Sequence, residues 1–271
     1  MLKNRLAKYA TRAGVISFAS VVATTAFAVG PTVDQVTPTD AQRNATFASA
    51  GVAPTPILTS PAVAFGSPLG FGLNYGQVAV GIGGQTVPSN APGPLDGSMG
   101  VAMGLGNSVT DVGVELTVNI ISLRSQFAED GSFNAKIHRM ISPTTSVAVG
   151  AESFGGWGLA RDARISSYAA VSTVVTADGM PVVLNAGVGN NRFRSSRSTD
   201  SGDVGAFASI AVVPTDRFST ILDFTGVDIN AAISVVPVRE WPVTLTLGYV
   251  NLTEREQRGE FAGGLGYLYR F

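Results

Sequence analysis

The chain has no cysteine, a single histidine, two tryptophans and charged residues at only 14% of 271 positions. Without cysteine there is no disulfide framework and no thiolate zinc site, and one histidine, His138, leaves little from which to build a metal centre or a catalytic triad. Ordinary soluble domains carry about 25% charged residues, so a surface this poor in charge needs something other than water to cover much of it. Yet the chain also lacks any uninterrupted run of about 18 apolar residues after its first 28, which argues against membrane helices. A formal net charge of −1 argues against nucleic acid, which would call for a basic patch or stripe. No cofactor motif is present either: the glycine run Gly81-Ile82-Gly83-Gly84 lacks a phosphate-loop lysine and a following helix.

What is present is glycine, 32 residues of it, and a hydrophobic fraction of 45% spread thinly rather than in blocks. Lys3, Arg5, Lys8 and Arg12 precede an apolar stretch, Val15 to Thr25, and then Ala26-Phe27-Ala28. That order is a secretory leader with its small-x-small cleavage site at Ala26 and Ala28; as a membrane anchor it is too short. Removing its four cations takes the net charge from −1 to −5. Residues 29–64 hold Pro31, Pro38, Pro54, Pro56 and Pro61 with no helical or strand period, and read as a flexible periplasmic leader that is also free to dock into a barrel. Phe65 to Tyr75, rich in glycine and aromatics, reads as a plug, an irregular edge, or a lead-in to the first strand.

From Gln77 onward, alternating segments of roughly 8 to 12 residues recur, the length at which a tilted strand crosses a bilayer. Twelve are read, at 77–86, 97–107, 112–122, 131–142, 145–155, 166–177, 181–192, 204–213, 218–225, 228–237, 242–253 and 260–271. Their connections alternate in character. Ser108 to Asp111, Pro143-Thr144, Asp178 to Met180, Pro214 to Arg217 and Val238 to Trp241 are short, whereas Gly156 to Ile165 and Phe193 to Asp203 are long and charged. Gly226-Val227 is a tight exception. The expected fold is therefore all-β: a transmembrane antiparallel up-and-down barrel of about twelve strands, ten and fourteen being the neighbouring counts, over residues 65–271. A soluble β-sandwich alternates similarly, but the leader, the low charge and the loop asymmetry favour the barrel, placed in the outer membrane of a double-membraned bacterium.

Parity assigns the faces. Val112, Val114, Leu116, Val118 and Ile120 go to lipid, with Glu115, Thr117 and Asn119 turned to the lumen; Phe133, Ala135 and Ile137 likewise oppose Asn134, Lys136 and His138, and Val147, Val149 and Ala151 oppose Ala148, Gly150 and Glu152. Glu115, Lys136 and Glu152 thus fall on the inner face of consecutive strands and are expected to form a cross-strand ladder, acting as a charged constriction or as a structural salt-bridge network. Asp223, Asp228 and Asn230 are expected to point inward from a tight hairpin. His138 is expected to be a hydrogen-bonded wall residue rather than a catalytic base, although Ser132, Asn134 and Ser146 lie near it in the strand scheme, as in a twelve-stranded phospholipase. Arg192, Arg194 and Arg197 read as a solvated outer loop.

In the last segment Phe261, Leu265, Tyr267, Tyr269 and Phe271 share one parity. This resembles the C-terminal insertion signal of bacterial outer-membrane proteins, which implies recognition of Leu265, Tyr267, Tyr269 and Phe271 by the barrel-assembly machinery after passage through the secretion translocon. A looser resemblance joins Leu222-Asp223-Phe224-Thr225-Gly226-Val227-Asp228-Ile229-Asn230 to a hairpin of poorly characterised barrels of cyanobacterial type and of exopolysaccharide systems, and implies little beyond a barrel. The leading functional expectation is a porin-like passive channel for small hydrophilic solutes, no enzyme, without metal or cofactor, in contact with outer-membrane lipid and lipopolysaccharide. Small inward residues such as Gly113, Ala148, Gly150 and Ala232 would leave it room. The competing class is a non-conducting structural or interaction barrel supporting envelope or polysaccharide assembly. Oligomeric state is not read from the sequence.

Overall fold

Alternation of small polar and large aliphatic residues makes each segment a strand with two unlike faces, and such strands are stable only when one face is gathered inward and no edge is left open. The structure, a computed structural model, describes residues 60–86, 95–120, 123, 127–194, 204–255 and 258–271. Its strands are β1 (Gln77–Thr86), β2 (Leu95–Gly106), β3 (Gly113–Ile120), β4 (Gly131–Met140), β5 (Thr145–Trp157), β6 (Ser166–Ala177), β7 (Met180–Gly189), β8 (Gly205–Thr215), β9 (Phe218–Phe224), β10 (Ile229–Val235), β11 (Val243–Val250) and β12 (Glu260–Arg270). Each pairs antiparallel with its sequence neighbours, and β12 closes on β1 with Gln77 opposite Arg270 and Gln85 opposite Ala262. The sheet is thus a closed up-and-down barrel of twelve strands, and the expected segments match it with ends within three residues.

Faces follow the expected parity. Leu116, Val118, Phe133, Ile137, Val149, Leu222 and Leu265 are exposed on the outer wall, while Glu115, Asn119, His138, Ala148 and Asp223 are buried inside. Turn chemistry supports the register. The β6–β7 hairpin turns on Asp178-Gly179, both at positive φ (48° and 76°), the arrangement of a two-residue type I′ loop whose twist suits adjoining strands. Register shifts bend the wall at Gly131/Phe133 and Phe133/Ala135 of β4 against β5 and at Val212/Thr215 of β8 against β9; at the second of these Ser153 sits at φ 60°. This bulge buries Glu152 and Ser153 side by side and turns Phe154 outward against Phe133, with ring centroids 6.1 Å apart.

We call the mouth that holds Gln77 and Arg270 the lower mouth. The connections 107–112, 141–144, 178–179, 216–217 and 236–242 lie there; the opposite, upper mouth carries the mostly longer ones. Of the two readings of the leader, flexible or docked into the barrel, its last residues follow the second: Pro61 to Ala64 are buried inside the barrel, continuous with Phe65 to Leu73. An extended segment of proline and small residues has the same absence of period whether water or a wall surrounds it, which is why its burial does not show in the sequence. The leader cleavage site at Ala26 and Ala28 and most of the expected leader lie outside the described residues.

A lumen occupied by residues 60–75 as the candidate functional site

Residues 60–75 form a strap folded as an inverted U within the barrel. The Ser60 carbonyl accepts from Thr244 Oγ1 (3.2 Å) and the Tyr75 amide donates to the Gly106 carbonyl (2.8 Å), which places both ends at the lower mouth. The apex, Gly66 and Ser67, reaches the upper ends of β7 and β9, where the Ser67 hydroxyl donates to Asp223 Oδ1 (2.5 Å) and to the Phe224 carbonyl (3.2 Å).

A buried extended segment has main-chain donors and acceptors that no helix or sheet satisfies, so the wall must supply the partners. Here side chains do so. At four strap residues both main-chain groups are held: Ala62 by Ser234 and Ser219, Phe65 by Asp223 (2.8 Å) and Asn230 (2.9 Å), Gly70 by Ser172 (2.8 Å) and Ser146 (2.7 Å), and Leu73 by Glu115 (2.9 Å) and His138 (3.0 Å). Asp223 also accepts from the Ser67 amide (3.1 Å), and Asn185 donates to the Pro68 carbonyl (3.2 Å). Between these clamps Ala62, Val63, Ala64, Phe65, Leu69 and Phe71 pack on Val183, Ala211, Ile221, Ala232, Val250 and Ala262 from the wall. Burial of such apolar surface contributes about 25 cal/mol per Å². At Gly70 the strap lies flush on the sheet: a Cβ there would stand 2.4 Å from the Ser146 carbonyl oxygen and 2.8 Å from the Ser172 nitrogen, both backbone atoms that cannot step aside.

The expected site residues divide accordingly. Glu115 and Lys136 are opposite in register and form an ion pair at 3.0 Å, the Glu115 carboxylate serving the Leu73 amide as well. Glu152 is not the third rung. Lys136 lies opposite Gly150, two residues short of it, and Glu152 is instead engaged by Arg192 through two bonds, Nε to Oε2 and Nη2 to Oε1, the latter at 2.8 Å. The expected ladder is corrected to two separate pairs, because parity names the face of a residue but not how far the stagger carries its neighbour. Arg192, read as solvated, is correspondingly drawn inward: it donates to the Gly66 carbonyl (3.2 Å) and lies 4.1 Å over the Phe193 ring. Arg197 lies outside the described residues.

Asp223 and Asn230 face each other across β9–β10 and together hold Phe65. Asp228, also buried, serves the rim: it accepts from Thr253 Oγ1 (2.5 Å) and the Arg255 amide (2.9 Å) and so ties the loop after β11. His138 donates through Nε2 to the Leu73 carbonyl as that tautomer requires, and its Cε1 closes against Gly113. Of the serines at 146, 172, 219 and 234, which carry much of the strap's hydrogen bonding, the sequence singled out Ser146 alone, and as a neighbour of His138 rather than a strap partner; the available signal was a hydroxyl recurring at inward parity among glycines and alanines. Truncating two of them, as Ser146→Ala with Ser172→Ala, is expected to weaken strap docking by about 2–4 kcal/mol, since each loss leaves a buried main-chain group unpaired. Faster proteolysis between Gly66 and Leu73, with unchanged strand content by circular dichroism, is the check.

No protein-family model matches the chain, and no curated protein matches it. Among solved structures, the N-terminal β-barrel domain of Pseudomonas aeruginosa OprF is similar over 73% of this chain and 98% of that domain, at 12% identity and a TM-score of 0.20. A score at that level adds nothing to what the strand order already states, and the hairpin at 222–230 stands as a feature of this barrel. The chain is a closed twelve-stranded antiparallel barrel with its own upstream segment bound inside.

Proposed function

We propose that the protein is an outer-membrane barrel that rests closed, a non-conducting barrel in which residues 60–75 occupy the path a porin would leave open. The burial of Pro61 to Leu73 against the inner wall carries this reading. The room expected beside Ala148, Gly150 and Ala232 is taken: Tyr168 lies against Gly150, and Phe65 lies beside Ala232 in the apolar cluster and against Gly248. Passive flow of small hydrophilic solutes, the porin-like reading, then belongs to a state in which the strap has left.

The membrane placement is supported by the outer wall. Ile82, Val101, Met103, Leu116, Val118, Ile137, Val149, Leu184, Leu222, Ile233, Leu247 and Leu265 form an exposed aliphatic belt, and aromatics gather toward the rims, with Tyr75, Trp241, Tyr269 and Phe271 below and Phe127, Phe133 and Phe261 above. Such a belt between aromatic girdles suits hydrocarbon between two interfaces, and the short turns then face the periplasm. Leu116→Arg is expected to destabilise the barrel in phospholipid vesicles by about 2–4 kcal/mol, read from urea-driven unfolding; an exposed arginine on a water-soluble barrel would cost almost nothing.

Planar-bilayer recording of the refolded chain tests the closed state. The wild-type chain is expected to give no channel steps. Gly70→Phe, which cannot lie flush on β5 and β6, is expected to give them. Steps from the wild type at once would return the chain to the porin class, and silence from a Gly70→Phe chain whose strap is protease-accessible would remove the lumen as a conduit.

A further inference from the structure

The strap is bound as a ligand is bound. Residues in a barrel wall are held by ladders of main-chain bonds to both neighbours, whereas the strap meets the wall's main chain at the Tyr75–Gly104 bridge, beside the join to β1. Deeper in the lumen, wall side chains reach to its main chain, in pairs at Ala62, Phe65, Gly70 and Leu73. Recognition through the main chain gives affinity with tolerance of sequence, and pockets between the clamps supply the specificity. Those pockets take an aromatic at the Phe65 position and apolar side chains at the Leu69 and Phe71 positions, on either side of a residue that must have no side chain.

Topology leaves this ligand separable. Ser60 and Tyr75 lie at the same mouth, so the U withdraws through the opening it occupies without unpairing any of the twelve strands. A segment crossing from one mouth to the other would have to be threaded. Withdrawal would leave four two-point main-chain clamps and an apolar strip facing water, a surface made for an extended polypeptide and poorly suited to a sugar or an ion.

We propose that the lumen is a binding site for an extended polypeptide segment, which residues 62–73 occupy in cis and a separate segment occupies in trans once they are withdrawn. The ligand class is an extended peptide with glycine flanked by apolar residues and an aromatic five positions before that glycine. This rests on the closed-barrel reading only in needing a withdrawn strap, and the two are tested by different signals.

The experiment uses the full chain carrying Gly70→Phe, refolded in detergent, and a fluorescent synthetic peptide with the wild-type sequence of residues 60–75. Anisotropy is expected to show saturable binding to the variant and at least ten times less to the wild-type chain, whose own strap competes. A peptide N-methylated at the Phe65 amide or at the Leu73 amide keeps every side chain and loses the amide half of one clamp; each is expected to bind on the order of tenfold more weakly. A peptide with Gly70 replaced by valine is expected not to bind. In the bilayer, the wild-type peptide added from the lower-mouth side is expected to close the open variant.

Should Gly70→Phe fail to fold, Phe65→Asp serves, since it sets a second carboxylate into the apolar cluster beside Asp223 and leaves every wall residue unchanged. Open channels without saturable peptide binding would overturn the trans site and leave the closed-barrel reading intact. Equal binding of the N-methylated and parent peptides would overturn recognition through the main chain. Binding by a variant that never conducts would uphold the site while removing the conduit.

Discussion

Asp223→Ala is expected to free the strap from the lumen while the barrel stays closed on itself. Asp223 is fully buried and accepts three bonds from the strap apex, from the Phe65 amide, the Ser67 amide and the Ser67 hydroxyl. Alanine leaves the Phe65 and Ser67 amides without an acceptor and the Ser67 hydroxyl with the Phe224 carbonyl alone, and unpaired buried groups cost about 1–3 kcal/mol each, so the apex is destabilised by on the order of 2–6 kcal/mol. That is enough to exchange the docked segment for a solvated one, whereas the β9 ladder to β8 and β10 is made of main chain and does not need the carboxylate. The readouts are proteolytic cleavage between Pro61 and Leu73, channel steps in a bilayer, and unchanged strand content. Asp223→Asn keeps an acceptor oxygen and is expected to lose less than half as much. A strap that stays protected in Asp223→Ala would show that the apolar cluster alone holds it.

The second large effect is expected at Arg192. Arg192→Met removes both bonds to Glu152, the bond to the Gly66 carbonyl and the contact with the Phe193 ring. Glu152 is then a buried carboxylate without its cation, a situation that typically costs 3–5 kcal/mol. Pairing the change with Glu152→Gln is expected to recover more than half of that loss, because the penalty lies in the orphaned charge rather than in the pair's net attraction. The midpoint of urea unfolding in detergent reports both numbers. If the double variant is no more stable than Arg192→Met, the two side chains are not coupled as the geometry requires.

These two sites also mark how far the sequence reaches. Asp223 and Asn230 are placed inward by parity alone, and the pairing that sets them opposite each other follows from the short turn between β9 and β10. Glu115 and Lys136 are similarly legible, since adjacent strands joined by one connection leave few registers that keep both apolar faces outward. Glu152 and Arg192 are not. Their partnership spans β5 and the turn after β7, beyond any adjacent pair of strands, so parity that places Glu152 inward does not reveal which cation it meets.

By itself the sequence determined the twelve strands, their order and their faces, because each rests on a local signal: a period of two, a turn such as Asp178-Gly179, and a run length. Only the tertiary structure decided what the lumen contains. Phe65 meets Asp223 across 158 residues and Gly70 meets Ser172 across 102. A segment whose main chain is satisfied by distant side chains has no period of its own and no partner nearby in sequence. The surface that makes residues 60–75 a bound strap rather than a solvated leader exists only after the barrel has closed around it.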